Sequence, residues 1–218
     1  ITPEKLEFGK GYSLKEVSAP YGYVLSHEAV KFDVTEENST EESGVTVVAV
    51  KLGNYAQKGI IKISKTGEVF ASVTAADGVY HPVYTVQGLA GATYEIKAAA
   101  DIYTPDGTLR CSAGEVVDTV TTGADGMAES KPLYLGKYEI TEMKAPDGMV
   151  VNKDSHTAEL VYADQEIEIT ETAASFCNDR QKARISLSKV LKQNKQFGIG
   201  MNNELSAVTF GFYAAEEL

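Results

Sequence analysis

Ile61-Lys62-Ile63-Ser64-Lys65 is typical of a β-strand that carries a lysine on its apolar face. Successive side chains of a strand point to opposite faces, so Lys65 shares a face with two isoleucines. The segment Ile185-Ser-Leu-Ser-Lys189 repeats the pattern and gives Lys189 the same surroundings. Burying an amine is costly unless it is paired, neutral or consumed in a reaction. The sequence must therefore supply a partner for each lysine.

The chain repeats itself around these lysines. Residues 54–65 align without gaps on residues 178–189, with identical Asn, Gln, Lys, Ile, Ser and Lys at matching positions. Residues 12–22 align equally well on residues 138–148, where both segments read Tyr, Glu, Ala-Pro and Gly in register. A weaker match pairs residues 93–99 with 209–215. Self-similarity in a fixed order predicts tandem domains.

The repeat also predicts the domain boundaries. Residues 1–57 form the back part of one domain, 58–181 a complete domain, and 182–218 the front part of a following domain. No linker rich in Pro or Gly separates the asparagine of one domain from the lysine strand of the next. Such a short connection favours stiffly coupled domains over a flexible chain of modules.

The composition favours an all-β protein. Short strand signals at 45–52, 69–73, 80–86, 115–120 and 159–162 alternate with Asp-Gly turns, and no long amphipathic helix is evident. This pattern predicts an all-β sandwich. A formal net charge of −11 disfavours nucleic acid and anionic membranes as partners, and no apolar run is long enough to span a bilayer.

The cysteines and acidic residues do not indicate a metal centre. Cys111 and Cys177 leave a disulfide open, but two cysteines without a nearby histidine are too few ligands for zinc. The Asp-Gly pairs lack the run of alternating carboxylates that calcium loops use, so they are interpreted as turns. We therefore predict neither a metal nor a cofactor.

Two further polar groups are predicted to face the core with the lysine. Period-2 spacing places Glu142 on the face of Tyr138 and Ile140, and Asn178 on that of Phe176. In the other copy, Glu16 shares a face with Tyr12 and Leu14, and Asn54 ends the apolar row Val48, Val50, Leu52. Each residue taken alone also fits the polar end of a strand at the rim of a core. Five segments in two aligned copies favour the inward-facing alternative.

Lysine, glutamate and asparagine in contact in an apolar site can react. In a site of low dielectric constant an amine tends to lose its proton and a carboxyl group tends to keep one. A neutral amine can attack the asparagine carboxamide while the acid polarises the carbonyl and shuttles protons, which gives an amide and ammonia. A buried ion pair hydrogen-bonded to the asparagine, without bond formation, is equally consistent with these residues.

The motif around Glu142 resembles a known family. Tyr138-Glu-Ile-Thr-Glu-Met-Lys-Ala-Pro-Asp-Gly148 is similar to the E-box of Cna B-type domains, which are SpaA-like and prealbumin-like, and Gly91-Ala-Thr-Tyr94 is similar to their G-A-x-F/Y strand. The resemblance implies tandem transthyretin-like Greek-key β-sandwiches in the stalk of an adhesin or pilin, on the outside of a Gram-positive cell wall. It implies a Lys65–Asn178 isopeptide bond with Glu142 as the catalytic acid and base. Glu16, Asn54 and Lys189 then hold these roles in the incomplete domains.

Two departures from the family pattern are visible. Met149 stands where the motif has an aromatic residue, which the first copy keeps as Tyr23. The stretch 97–127 is longer than the pattern needs and predicts extra strands or an elaborated loop. Neither departure involves the three reactive positions.

Other functions are weaker on this sequence. His27, His81 and His156 lie in unrelated contexts, so no enzyme site for an external substrate is indicated. A collagen- or carbohydrate-binding module without a crosslink stays an alternative, although the chain has no tryptophan. Tyr80, Tyr84 and Tyr94 alternate like core residues rather than like a binding platform.

The expected partners are neighbouring repeats of the same protein. Residues 182–218 supply Lys189 and residues 1–57 supply Glu16 and Asn54, so the two ends together hold a complete set of reactive groups. One hypothesis is head-to-tail complementation between the chain ends, either of two copies or of the same chain. Its motive is that each fragment has apolar strands without a closed core, at 45–52 and 208–212. The sequence does not indicate a host or cell-wall ligand.

Overall fold

The computed structural model describes residues 6–42, 45–198, 206 and 208–213. The chain divides into two compact units, of which the first ends at Gln181 and the second begins at Lys182. The described residues contain no α-helix and, in the first unit, fifteen strands, so the all-β prediction is confirmed. No described helix meets the length and hydropathy needed to cross a bilayer.

Residues 58–181 form two packed sheets. The strands are β5 (Lys58–Ala76), β6 (Val79–Gly88), β7 (Thr93–Ala98), β8 (Ile102–Tyr103), β9 (Leu109–Cys111), β10 (Val116–Thr121), β11 (Met127–Glu129), β12 (Leu133–Tyr134), β13 (Gly136–Lys144), β14 (His156–Leu160) and β15 (Ile169–Asn178). One sheet has the order β10-β7-β13-β14 and is antiparallel throughout. The small strands β8 and β9 pair with each other, so stretch 97–127 holds the extra strands that the sequence predicted.

The second sheet is built around the long strand β5. On one edge β5 pairs in turn with β12, β11 and β6, all antiparallel, and on the other edge it pairs with β15 in parallel. Alternate residues of β5, β7 and β13 are buried between the sheets, as period-2 packing requires. The central buried side chains are Ile61, Ile63, Tyr94, Ile96, Tyr138, Ile140, Leu160 and Phe176.

The hairpin formed by the second half of β5 and by β6 extends past the other strands. Most of its side chains from Val69 onward are exposed, although it keeps its ladder to the turn at Asp77 and Gly78. The expectation that Tyr80 and Tyr84 are core residues is therefore wrong, because no second sheet formed by the described residues covers this hairpin. Tyr80 is 71% exposed, and Tyr84 instead packs against the Arg180 guanidinium at 3.5 Å from the ring centre.

Residues before 58 form two small ladders. β1 (Gly9–Leu14) pairs with β2 (Val30–Val34), and β3 (Thr40–Glu42) pairs with β4 (Val45–Val47). The predicted strand 45–52 is shorter than expected, since the ladder ends at Val47. Leu14 is 44% exposed, so this face is only partly covered by the described residues.

The described part of the second unit has no strand. We predicted one at Ile185–Lys189 and a further apolar strand near Val208–Phe212, and the structure shows neither. Ile185 is 70% and Leu187 58% exposed. The physical reason is that strand structure needs a hydrogen-bonded neighbour, and none pairs with these segments within the described residues.

The cysteines stay apart in this fold. Cys111 and Cys177 are both free thiols, so the disulfide left open by the sequence does not form in this structure. Cys177 is exposed on the outer face of β15 while its neighbour Asn178 is buried, which agrees with the predicted alternation.

Candidate functional site

Lys65 lies where the neighbour of β5 along one edge changes from β11 to β6. Its backbone N donates to Gly126 O at 2.8 Å, and its carbonyl accepts from Leu89 N at 3.0 Å. Gly126 has a left-handed φ of 78°, and a Cβ there would lie 2.5 Å from the Lys65 carbonyl oxygen. The glycine thus permits the close approach that fixes the lysine backbone. The Lys65 side chain is fully buried.

Asn178 is the last residue of β15, beside the lysine strand. The parallel register pairs Phe176 with Lys65 and Asn178 with Gly67, so the lysine and asparagine side chains lie diagonally on the inner face. A Cβ at Gly67 would come within 3.2 Å of the Asn178 carbonyl oxygen and 2.6 Å of Leu89 Cδ1. The absence of a side chain at Gly67 therefore lets the end of β15 lie close to β5.

Glu142 reaches the same place from the opposite sheet. It lies in β13 opposite Tyr94 of β7, just before a register shift between Glu142 and Lys144. Its side chain is completely buried, and Asn152 N donates to Oε2 at 2.6 Å. The carboxylate is thereby held by a backbone amide that follows it by ten residues.

The three side chains form one closed group. Lys65 Nζ lies 2.9 Å from Glu142 Oε1 and also donates to Asn178 Oδ1. Asn178 Nδ2 donates to both carboxylate oxygens of Glu142, at 3.0 and 2.9 Å. The amine thus faces the oxygen of the carboxamide, and the carboxylate faces its nitrogen. The structure brings together the three residues that the sequence singled out in residues 58–181.

Aromatic side chains surround this group. Tyr94 OH donates to Glu142 Oε1 at 3.4 Å, and the Lys65 ammonium lies 5.9 Å from the centre of the Tyr94 ring. Phe176 packs on Tyr94 with ring centroids 4.6 Å apart, and His156 packs on Phe176 at 4.3 Å. Burial, together with the charge of Glu142, raises the pKa of Tyr94, so its hydroxyl stays a hydrogen-bond donor.

Sequence reasoning did not give these neighbours a role. Tyr94 was available from the Gly-Ala-Thr-Tyr motif and from its alternation with Ile96, which places it on the inner face. The Asn152 amide carries no side-chain signal, because a backbone donor is independent of residue type. His156 was dismissed for its unrelated sequence context, and only the pairing of β13 with β14 brings it close.

Residues 1–57 contain a second, incomplete group. Asn54 Nδ2 donates to Glu16 Oε2 at 2.7 Å and to Val24 O at 3.1 Å. Ser26 N donates to Glu16 Oε2 at 2.9 Å, again from ten residues after the glutamate. Glu16 and Asn54 are half-buried rather than buried. The glutamate–asparagine contact therefore exists here without a described lysine.

Lys189 is in a different situation from Lys65. It lies in the second unit, its side chain is exposed, and its segment has no strand structure. No glutamate–asparagine pair lies beside it among the described residues of that unit.

The geometry supports chemistry among protein groups alone. The complete group offers an amine, a carboxyl group and a carboxamide in mutual contact, which are the reactants and the acid–base catalyst of a transamidation. Among the residues that the structure describes, no cluster of three or more His, Cys, Asp or Glu side chains could hold a metal ion.

Comparison with known proteins gives a family-model match and one curated relative. A family model described as the SpaA prealbumin-like fold domain matches residues 1–49 and 83–173, more than half of the chain. The trypsin-resistant surface T6 protein of Streptococcus pyogenes serotype M6 is 32% identical over 74 residues. That alignment covers 33% of this chain and 14% of the relative, so the chain spans only a small part of that protein.

The comparison with solved structures gives further matches of limited overlap. The Bacillus anthracis TIE protein is 26% identical, with a TM-score of 0.43, over 79% of this chain and 25% of its own. The minor pilin GBS52 of Streptococcus agalactiae is 16% identical, with a TM-score of 0.37, over 74% of this chain and 61% of its own.

Proposed function

The chain belongs to the SpaA family of prealbumin-like domains, and on that premise we propose that it is a shaft module whose central sandwich crosslinks itself between Lys65 and Asn178. The observation that carries the proposal is the closed contact of Lys65, Glu142 and Asn178 in a fully buried site. The module is a structural part of a pilin or adhesin on a Gram-positive cell surface, and it acts on no external substrate.

The reaction follows from the positions of the atoms. Lys65 Nζ passes a proton to Glu142 Oε1, 2.9 Å away, and becomes a neutral nucleophile. The amine attacks Asn178 Cγ, so the Nζ–Cγ bond forms as the Cγ–Nδ2 bond breaks. Glu142 returns this proton to Nδ2, which lies at 3.0 and 2.9 Å from the two carboxylate oxygens, and ammonia leaves. The carboxylate then takes up the second Nζ proton, so the products are a neutral amide, ammonia and a protonated Glu142. One carboxyl group thus serves as base and then as acid.

The fold supplies most of the rate in this scheme. Holding the amine and the carboxamide in contact replaces an encounter in solution by an intramolecular step. The aromatic wall of Tyr94 and Phe176 excludes water, which would otherwise hydrate the charged groups. No cofactor is needed, because every proton that moves starts and ends on the three side chains or on the departing ammonia.

The product would join the first and last strands of the sandwich. Lys65 and Asn178 are 113 residues apart in the chain and lie on the neighbouring strands β5 and β15. A covalent link between them prevents the two strands from separating when the chain is pulled from its ends. That property suits a shaft that bears tension.

Intact mass spectrometry tests the proposal. The folded chain should be lighter than its sequence by one ammonia, and peptide mapping should assign the loss to a Lys65–Asn178 pair. Lys65→Ala, Asn178→Ala and Glu142→Ala should each abolish the loss. A folded chain of full mass would leave only the buried ion pair and would exclude the crosslink.

We extend the proposal to the incomplete group at Glu16 and Asn54. As in the complete group, the asparagine Nδ2 and the backbone amide ten residues after the glutamate both donate to the carboxylate, and no amine of the described residues contacts the pair. Lys189 has the sequence surroundings of Lys65 and an exposed side chain, so a strand bearing Lys189 from a second copy would complete the group. Covalent oligomers on denaturing gels, abolished by Lys189→Ala and by Asn54→Ala, would support this complementation. A chain that stays monomeric at high concentration would exclude it.

A ligand-binding role has one supporting observation. Tyr21, Tyr103, Tyr134 and Tyr162 line an open cleft of about 270 Å³ beside Glu159. Tyr21 and Tyr103 are exposed, and exposed tyrosines next to a carboxylate are suited to stacking on a sugar or on a proline-rich strand. Glycan-array and collagen pull-down assays distinguish the two functions. A ligand-binding module gives a binding signal that Tyr103→Ala removes, whereas a shaft module without a ligand gives no signal.

A further inference from the structure

Gln57 is a fully engaged polar side chain that the proposed crosslinking does not use. It is 1% exposed and lies directly before β5, between residues 1–57 and the sandwich. Its Nε2 donates to Asp164 O at 2.7 Å and to Ile167 O at 2.5 Å, and its Oε1 accepts from Ala163 N at 3.0 Å. All three partners belong to the loop between β14 and β15.

A carboxamide of this length fits the loop by its chemistry. Two backbone carbonyls and one backbone amide converge on the side chain, and only a group with two N–H donors and an acceptor satisfies all three. A methionine would fill a similar volume but would leave these backbone groups unpaired in a buried place. The loop therefore forms a polar socket for Gln57, with Ala163, Asp164 and Ile167 as its walls.

The same loop also binds residues 19–25, which we call the E-box turn because they overlap the end of segment 12–22, the first copy of the E-box. Leu25 N donates to Gln165 O at 2.9 Å, and Ala19 N donates to Gln165 Oε1 at 2.8 Å. The Gln57 backbone N closes the arrangement by donating to Gly22 O at 2.9 Å. Two successive parts of the repeat are thus joined through one loop of the following sandwich.

Close packing supports these hydrogen bonds. A Cβ on Gly22 would lie 2.6 Å from Pro105 Cγ, and the Gly22 φ of 85° also favours glycine. The Tyr21 and Tyr162 rings lie 4.6 Å apart. The exposed pair His27–Glu166 adds little, because water screens it.

The backbone platform that presents Gln57 occurs a second time. Gln181 N donates to Gly148 O at 2.8 Å, which repeats the bond from Gln57 N to Gly22 O. The bridge between Met149 and Arg180 likewise repeats the bridge between Tyr23 and Ala56. Gln181 is exposed, whereas Gln57 is buried in its socket. The platform therefore belongs to the repeat, and occupation of the socket distinguishes its two copies.

From these observations we infer that Gln57 and the loop of residues 163–167 form a lock that fixes the orientation of one prealbumin-like repeat on the next. The partner that this surface takes is the preceding repeat of the same kind, bound through its E-box turn. The lock goes beyond the crosslink, because it acts between repeats while the crosslink acts within one. A shaft stiffened in this way resists bending as well as stretching.

The test uses the full chain with Gln57→Ala, Gln57→Met and, as the matched control, Gln181→Ala. Residual dipolar couplings report whether amides of residues 6–42 share one alignment tensor with those of residues 58–181. Hydrogen exchange at Ala163 and Leu25 reports on the socket itself. We expect both Gln57 variants to lose the shared tensor and to exchange about tenfold faster or more at these amides, with Gln181→Ala unchanged.

Other outcomes would overturn the lock. A shared tensor in Gln57→Ala would show that packing alone orients the repeats. Wild-type behaviour of Gln57→Met would show that volume matters and hydrogen bonding does not. Intact mass keeps this test separate from the crosslink, because the Gln57 variants should show the same ammonia loss as the unmodified chain. If neither the unmodified chain nor any variant loses ammonia, the crosslink is excluded. The residual dipolar couplings still show whether Gln57 fixes the orientation of the two repeats.

Discussion

The chain contains the same glutamate–asparagine contact in two settings. Glu142 and Asn178 are 3% and 4% exposed and enclose Lys65, whereas Glu16 and Asn54 are half-buried and enclose no described amine. In both settings, the asparagine Nδ2 donates a hydrogen bond to the glutamate carboxylate. The backbone amide ten residues after the glutamate also donates to that carboxylate. The contact of Glu16 with Asn54 therefore forms with no lysine of the described residues enclosed by it, and the proposed crosslink depends on the strand that supplies Lys65.

The largest expected effect comes from removing the carboxylate of the complete group. Glu142→Ala leaves Lys65 buried without its charge partner and removes the proposed acid–base catalyst. Loss of a crosslink that closes a loop of this length costs about 4–5 kcal/mol by analogy with disulfides. We expect a fall of about 10 °C or more in melting temperature, measured by calorimetry. Glu139→Ala, on the exposed face of the same strand, is the control, and equal melting of the two variants would contradict this account.

A smaller effect is expected from crowding the end of β15. Gly67→Ala introduces a Cβ 2.6 Å from Leu89 Cδ1 and 3.2 Å from Asn178 O, so the asparagine must move relative to Lys65. Overpacking of this kind costs about 1–3 kcal/mol, and the crosslink should form more slowly. Time-resolved intact mass after refolding measures the rate. Gly53→Ala, where no atom of the described residues lies within 4 Å of the added Cβ, should match the unmodified chain.

Removing the Tyr94 hydroxyl should have a modest effect. Tyr94→Phe keeps the aromatic wall but removes a donor 3.4 Å from Glu142 Oε1. We expect complete crosslinking at a reduced rate and a stability loss of about 1 kcal/mol. Tyr103→Phe, at an exposed position, serves as the control. If Tyr94→Phe abolished the bond entirely, the tyrosine would be part of the proton transfer rather than a support for the carboxylate.

The smallest effect is expected at the incomplete group. Asn54→Ala removes hydrogen bonds to Glu16 and Val24 in a half-exposed place, where water can replace them. We expect a loss of about 1 kcal/mol or less by chemical denaturation, with the central crosslink intact by mass. Asn178→Ala serves as the comparison. A similar loss of free energy of unfolding in both variants would contradict the expectation that burial and crosslinking make the complete group the more stabilising one.

The sequence predicted the class of fold and the inward faces of the strands. Alternation alone places Ile61, Ile63 and Lys65 together, and the structure buries all three. It did not predict the exposed hairpin that includes Tyr80, because alternation looks the same whether or not a second sheet covers a strand. It also predicted a strand at residues 185–189 that the structure lacks, since a strand depends on partners that local sequence does not contain.

The amino-acid sequence thus determines which reactive groups are present and how they are spaced. It also determines the strand face on which each group lies, because side-chain direction follows from local backbone geometry. Tertiary structure decides which of these groups meet. The parallel pairing of β15 with β5 and the packing of β13 across the core bring Lys65, Asn178 and Glu142 together over more than a hundred residues. The same holds for Gln57, whose partners at residues 163–167 only become neighbours when the loop folds against it. Long-range contacts of this kind depend on the packing of whole sheets, which no local pattern encodes.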